Sequence, residues 1–147
     1  AKNIFEISSG EVKRMDIILS TSVLEHLDDV QGITRALAKL TDAEGVNFHF
    51  VDLRDHFFKY PFEMLTFSER IWHRWLNPPS NLNRYRLSDY ERIFPQIFGK
   101  VEIEIVNWDE AQFEKSRSRI KPEFLTGDTN KDSAIRIKVL AAEPVCQ

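Results

Sequence analysis

Side chains able to carry chemistry fall into a few short groups in this 147-residue chain. Ser20, Thr21 and Ser22 close one apolar run and are followed by His26, whose imidazole can take a proton near neutral pH as a general base. Asp52, Arg54, Asp55 and His56 close a second apolar run. Their carboxylates and imidazoles, with His49, raise the question of a metal, but strand alternation puts His49 and Asp52 on opposite faces, so no metal site is expected. Asn83, Arg84 and Arg86 form a third group. Guanidinium forks are suited to clamping an anionic group, and the plain alternative is a pair of solvent-facing arginines. Phe57, Phe58, Tyr60, Phe62, Phe67, Trp72 and Trp75 form an aromatic block that reads as the core of a small cap more readily than as a cage for a cation. Gly10, Gly32, Gly45, Gly99 and Gly127 stand too far apart for any two to share a phosphate-binding loop.

The elements that would position these groups follow from periodicity. Met15, Ile17, Ile18 and Leu19 make a short continuous apolar run, which predicts a strand buried on both faces of a parallel sheet. Asp28 or Asp29 can cap a helix with apolar positions Val30, Ile33, Leu37 and Leu40, and Gly45 offers a stop. Val46, Phe48, Phe50, Val51 and Leu53 predict a second buried strand. Strand, helix, strand over this length implies a right-handed parallel crossover. Thr66 with Glu69, and Ser88 with Glu91, have capping-box spacing ahead of two further helices, the first stopped by Pro78 and Pro79 and the second bent by Pro95 and closed at Gly99. Val101, Ile103 and Ile105 alternate with Glu102 and Glu104, and Ile135, Ile137 and Val139 alternate with Arg136 and Lys138. These two strands are expected to be antiparallel neighbours with acid-to-base cross-strand pairs. A mostly polar helix is expected over residues 109–121, and residues 4–7 give a short lead-in.

Composition bounds the rest. The chain is 42% hydrophobic and 29% charged with a net charge of -3, enough apolar content for one domain core. No run approaches the roughly 18 apolar residues that span a bilayer, so no membrane partner is expected. Mild acidity without basic runs argues against nucleic acid as a partner. A single cysteine, Cys146, cannot form an internal disulfide, and a cytoplasmic location is the simplest expectation. The chain begins at Ala1, so either a Met was removed or sequence precedes it.

Residues 15–29, MDIILSTSVLEHLDD, resemble the fourth strand and following turn of class I S-adenosylmethionine-dependent methyltransferases of the type 11 kind. The likeness continues through the helix, the next strand, a cap-like insertion reading PFEMLTFSERIWHRWLNPPSNLNRYRLSDY, and a closing antiparallel pair. It implies an α/β fold: part of a Rossmann-like methyltransferase sheet, with parallel strands, a C-terminal antiparallel strand pair and a helical cap insertion. The family's glycine-rich cofactor loop and the acidic strand end after it have no counterpart here. Residues 2–11 are a weak match to a third strand. The chain therefore resembles the C-terminal half of such a domain, an incomplete single unit over 1–147 with a strand-helix-strand core at 12–53, a helical cap at 54–98, and a strand pair with an intervening helix at 99–147.

The resemblance implies S-adenosylmethionine as the cofactor of a complete domain, flanked by Ser20, Thr21 and Ser22, and a small-molecule acceptor. In open α/β sheets ligands bind beyond the carboxyl ends of the strands, which is where those three residues and 52–56 fall. They otherwise satisfy backbone groups of a strand-to-helix turn. His26 matches a histidine near the active-site mouth and is the candidate base. Arg54, His56, Asn83, Arg84 and Arg86 are the candidate acceptor contacts. The isolated chain is expected to be inactive. The competing expectation is a non-catalytic methyltransferase-like module that forms homo-oligomers or binds a partner through an exposed sheet edge or the aromatic cap.

Overall fold

A computed structural model describes residues 12–77 and 81–145. The lead-in expected at residues 4–7, the third-strand match at residues 2–11, the helix stop at Pro78 and Pro79, and Cys146 lie outside the described residues. The chain folds as an α/β unit around a four-stranded mixed sheet. β1 (Met15–Thr21) leads through α1 (Val30–Leu40) to β2 (Thr41–Asp52). A short helix α2 (Glu69–Ile71) continues as a π turn over Trp72–Leu76, and α3 (Leu87–Ile93) follows. β3 (Phe98–Trp108), α4 (Glu110–Ser116), α5 (Thr129–Asp132) and β4 (Ala134–Pro144) complete the fold. The strand order is β1-β2-β4-β3; β1 runs parallel to β2, and β4 is antiparallel to both its neighbours. The last strand thus enters between the second and third.

Several local expectations hold for the reasons given. Asp29 caps α1 by accepting from the Gly32 amide at 2.8 Å. Pro95 confines α3, which ends at Ile93 and passes into a 3-10 turn over Phe94–Gln96. β3 and β4 pair with Glu104 opposite Lys138, and those side chains form an ion pair. Arg136, opposite Asn107 of β3, reaches instead toward the other neighbour and lies 3.7 Å from Asp52 of β2.

Other expectations are corrected. Gly45 does not stop α1, which ends at Leu40. Thr41 closes the helix by donating its hydroxyl to the Leu37 carbonyl at 2.7 Å, and it opens β2 in the same step. Gly45 sits inside the β1–β2 ladder beside an irregularity in register, where a Cβ would come within 2.6 Å of the Met15 carbonyl oxygen. Neither capping box forms as spaced. Thr66 donates to the Glu63 carbonyl, and Ser68 precedes α2. At α3 the cap lies two residues earlier, the Asp89 carboxylate accepting from the Arg86 amide at 2.9 Å.

The largest correction concerns β1. It pairs parallel to β2 as expected, yet it is an edge strand and is not buried on both faces: Ile17 is 69% exposed and Leu19 65%. Partners in register share a face, which divides the sheet in two. On one side His49, Val51, Ile137, Val139 and Ala141 are buried beneath Val30 and Ala38 of α1, Tyr90 and Ile93 of α3, and Phe94 of the turn after it. On the other, Ile17, Leu19, Phe48, Phe50 and Leu140 adjoin one another, and none of them is buried. A parallel strand pair with one apolar face left open departs from the usual two-sided cover.

A second core holds the cap. Phe62, Met64, Leu65, Trp72 and Leu82 pack with Phe113 and Ile120, so the cap shares its interior with α4 and the turn after it. Of the aromatic block, Phe62 and Trp72 are buried and Phe58 and Phe67 pack on them, whereas Phe57, Tyr60 and Trp75 are exposed. The cap is built mostly of short turns, not the two full helices its sequence suggested.

The two-faced sheet sets contrasting mutational costs. Leu19→Lys should change the urea-unfolding free energy of this chain by no more than about 0.5 kcal/mol, as for an exposed position. Ile137→Ala, at a fully buried position, should lose about 2–5 kcal/mol. Equal losses would contradict the assignment of faces.

Candidate functional site

The carboxyl ends of the two parallel strands lie side by side, and the chemistry-bearing groups gather there unevenly. Ser20 turns inward: its hydroxyl lies 2.8 Å from Nδ1 of His49. Thr21 and Ser22 are exposed, and Ser22 adopts the left-handed conformation (φ 52°) while its amide donates to the Phe50 carbonyl at 3.0 Å. That bend ends the strand and turns the chain into the 3-10 turn Leu24–His26. His26 is half-buried, with its ring centroid 5.4 Å from that of His56, so histidines from two strand ends meet. Asn81 and Asn83 hold the turn from the cap side. Asn81 donates to the His26 carbonyl, and Asn83 donates to the carbonyls of Leu24 and Leu27 at 2.7 and 2.8 Å.

Beyond β2, Asp52 is surrounded by basic side chains. Arg54 binds it through Nε and Nη2, the latter at 2.6 Å, His56 lies 3.8 Å away and Arg136 3.7 Å away. Burial raises the Asp52 carboxyl pKa, but the Arg54 hydrogen bonds and charge outweigh burial and hold it below the ordinary value. Glu25, from the turn after β1, is buried beside this strand end. Its Oε1 faces the Asp52 amide at 3.4 Å, its Oε2 has no partner, and burial raises its pKa.

The three cap residues are engaged in holding the fold. Arg86 is 3% exposed and donates to the carbonyls of Leu53 at 2.8 Å, Asp132 at 3.3 Å and Ala134. Burial lowers its pKa to about 10, which leaves it charged at neutral pH. Arg84 is also buried, donating to the carbonyls of Met64 and Phe67 and to the Glu69 carboxylate, with its guanidinium over the rings of Trp72 (5.7 Å) and Phe124 (4.8 Å). The expectation of solvent-facing arginines is therefore corrected for both. These rings belong to a cavity of about 310 Å³ between Asp28, Trp72, Tyr85 and Phe124, whose cation is the chain's own. Asn83, Arg84 and Arg86 do not converge with Arg54 and His56.

A larger cleft, about 520 Å³, opens beside the end of β2. Arg54, Asp55, His56 and Lys59 line one side, and Asp109 and Gln112 at the start of α4, with Ile135 of β4, line the other. Lys59, Asp109 and Gln112 were not singled out from sequence; they lie some fifty residues apart, and no local pattern links them. Among the described residues no group of three or more His, Cys, Asp or Glu side chains is placed to hold a metal ion, and no helix is long and apolar enough to cross a membrane.

Two measurements follow from these surroundings. Arg86→Met should cost about 3 kcal/mol or more in urea unfolding, because three buried carbonyls lose their donor; a loss under about 0.5 kcal/mol, the surface range, would contradict the staple. Burial of His49 lowers its pKa to about 4. The unfolded chain, with an ordinary imidazole near 6.5, then binds the extra proton between those values. The His49 contribution is complete above that window, and stability falls as pH drops from about 6.5 toward 4. Unfolding curves at pH 7 and pH 5 should show a smaller acid loss for His49→Gln than for the parent; identical losses would contradict a buried neutral imidazole.

No family model matches the chain, and no curated protein matches it. Among solved structures, the chain is similar to a coclaurine N-methyltransferase bound to N-methylheliamine and SAH, at 14% sequence identity and a TM-score of 0.47. The match covers 95% of this chain and 51% of that one, so the chain spans about half the length of the structure it resembles.

Proposed function

We propose that this chain is the C-terminal portion of an S-adenosylmethionine-dependent methyltransferase acting on a small-molecule acceptor. The observation that carries this reading is the placement of the STSVLEHL segment: an edge strand of a parallel pair, a left-handed Ser22, and a turn that brings His26 over the strand ends. The open apolar face of Ile17, Leu19, Phe48 and Phe50 supports a sheet meant to be covered on its second side.

The residues present fit one flank of such a cofactor. Thr21 and Ser22 offer exposed hydroxyls beyond β1, but the scattered glycines supply no close backbone cradle. When bound, the cofactor supplies a methyl group on a positively charged sulfur. The chain's own residues then orient and deprotonate: positioning of the acceptor carries much of the rate, and His26 or His56 accepts a proton where the acceptor must lose one. Arg54 and Asp52 fix the loop that carries His56. By itself the chain should bind the cofactor weakly or not at all.

The test is to read the transcript upstream of Ala1 and to measure, by calorimetry, S-adenosylhomocysteine binding to the protein of the complete reading frame. A preceding strand ending in closely spaced glycines and micromolar binding are expected. A frame that supplies no such loop, or a full-length protein that fails to bind at millimolar concentration, would overturn the proposal.

The same open face also favours a second reading, a non-catalytic module that pairs with a partner. Sedimentation of the isolated chain separates the two: a discrete stable oligomer supports the module, and aggregation or a molten state supports the enzyme portion.

A further inference from the structure

We infer that the cleft between the end of β2 and the start of α4 binds the oxyanion of a small molecule, a carboxylate or phosphate group held by Arg54, His56 and Lys59. The cleft has a volume of about 520 Å³, enough for a small organic ligand, and these three basic side chains are part of its lining. Arg54 and Arg136 both lie within 3.7 Å of Asp52, and Lys59 adds a further cation at the cleft, whose lining also carries Asp55 and Asp109.

Geometry favours access. The side chains of Arg54 and His56 are 44% and 30% exposed, whereas Asp52 beneath them is 7% exposed. Arg54 is pre-oriented by its bond to Asp52, which reduces the rotamer freedom that a ligand would otherwise have to freeze. The two acids that line the cleft are engaged by backbone amides. Asp109 is occupied as the cap of α4, accepting from the Gln112 amide at 3.0 Å. Asp55 accepts from the amides of Phe57 and Phe58 through Oδ1, while its buried Oδ2 has no partner. Burial raises its pKa.

The inference rests on the methyltransferase reading only in naming the ligand an acceptor; anion binding by the cleft needs no cofactor. The two therefore fail separately, and the test uses this chain without cofactor. Amide and guanidinium NMR signals are followed while benzoate, phenyl phosphate and neutral benzamide are added at fixed ionic strength. Saturable shifts confined to Arg54, Asp55, His56, Lys59 and Gln112 are expected with one or both anions and not with benzamide. A stronger response to benzoate assigns a carboxylate, and one to phenyl phosphate a phosphate. Lys59→Gln and Arg54→Gln should each weaken binding roughly tenfold or more, the loss of one charge-assisted contact. Lys59 is exposed, so its variant should keep the parent spectrum and remain interpretable if Arg54→Gln disturbs the fold. Absence of shifts, equal response to benzamide, or full affinity in Lys59→Gln would overturn the inference.

Discussion

The buried guanidinium of Arg86 is the contact on which the arrangement depends. It joins the end of β2, through the Leu53 carbonyl, to the segment entering β4, through Asp132 and Ala134, and its own backbone starts α3. The Asp132 carboxylate in turn accepts from the Thr126 and Gly127 amides, which shapes the loop before β4. A buried cation without a directly bonded carboxylate is costly unless its donors are met, and here backbone oxygens meet both terminal nitrogens while the buried Nε has no partner. The consequence is geometric. The carboxyl end of β2, where Arg54 and His56 begin, is fixed relative to the strand that supplies Ile135 and Arg136.

Two arginines two residues apart therefore serve construction. Arg84 is drawn inward to the Met64 and Phe67 carbonyls of the cap, and Arg86 to the carbonyls of Leu53, Asp132 and Ala134. Arg54 remains outside because Asp52 holds it at the rim. His26 and His56 approach each other because both follow strands of the same parallel pair. The site is thus a product of strand ends, as expected for an open α/β sheet, with one wall lent by α4.

The sheet itself was largely legible. Alternation in β3 and β4 predicted their antiparallel pairing, and the Asp29 cap and the Pro95 break followed from local chemistry. Burial of β1 was not legible. A continuous apolar run looks the same whether both faces are covered or one strand stands at an edge, because periodicity reports side-chain type and not neighbours. The aromatic block divided for the same reason: Phe62 and Trp72 meet Phe113 of α4, whereas Trp75 meets solvent.

By itself the sequence determined the order of elements, the end of the first parallel strand at Ser20–Thr21–Ser22, and the residue types gathered at the strand ends. Those are local properties, set by periodicity, capping and backbone preference. Only the tertiary structure decided which arginines are buried, which histidines meet, that one face of the sheet stays open, and that Lys59 shares a cleft with Gln112. Each of these depends on contacts between segments distant in the chain, whose energies arise from burial and hydrogen bonding that no local pattern encodes.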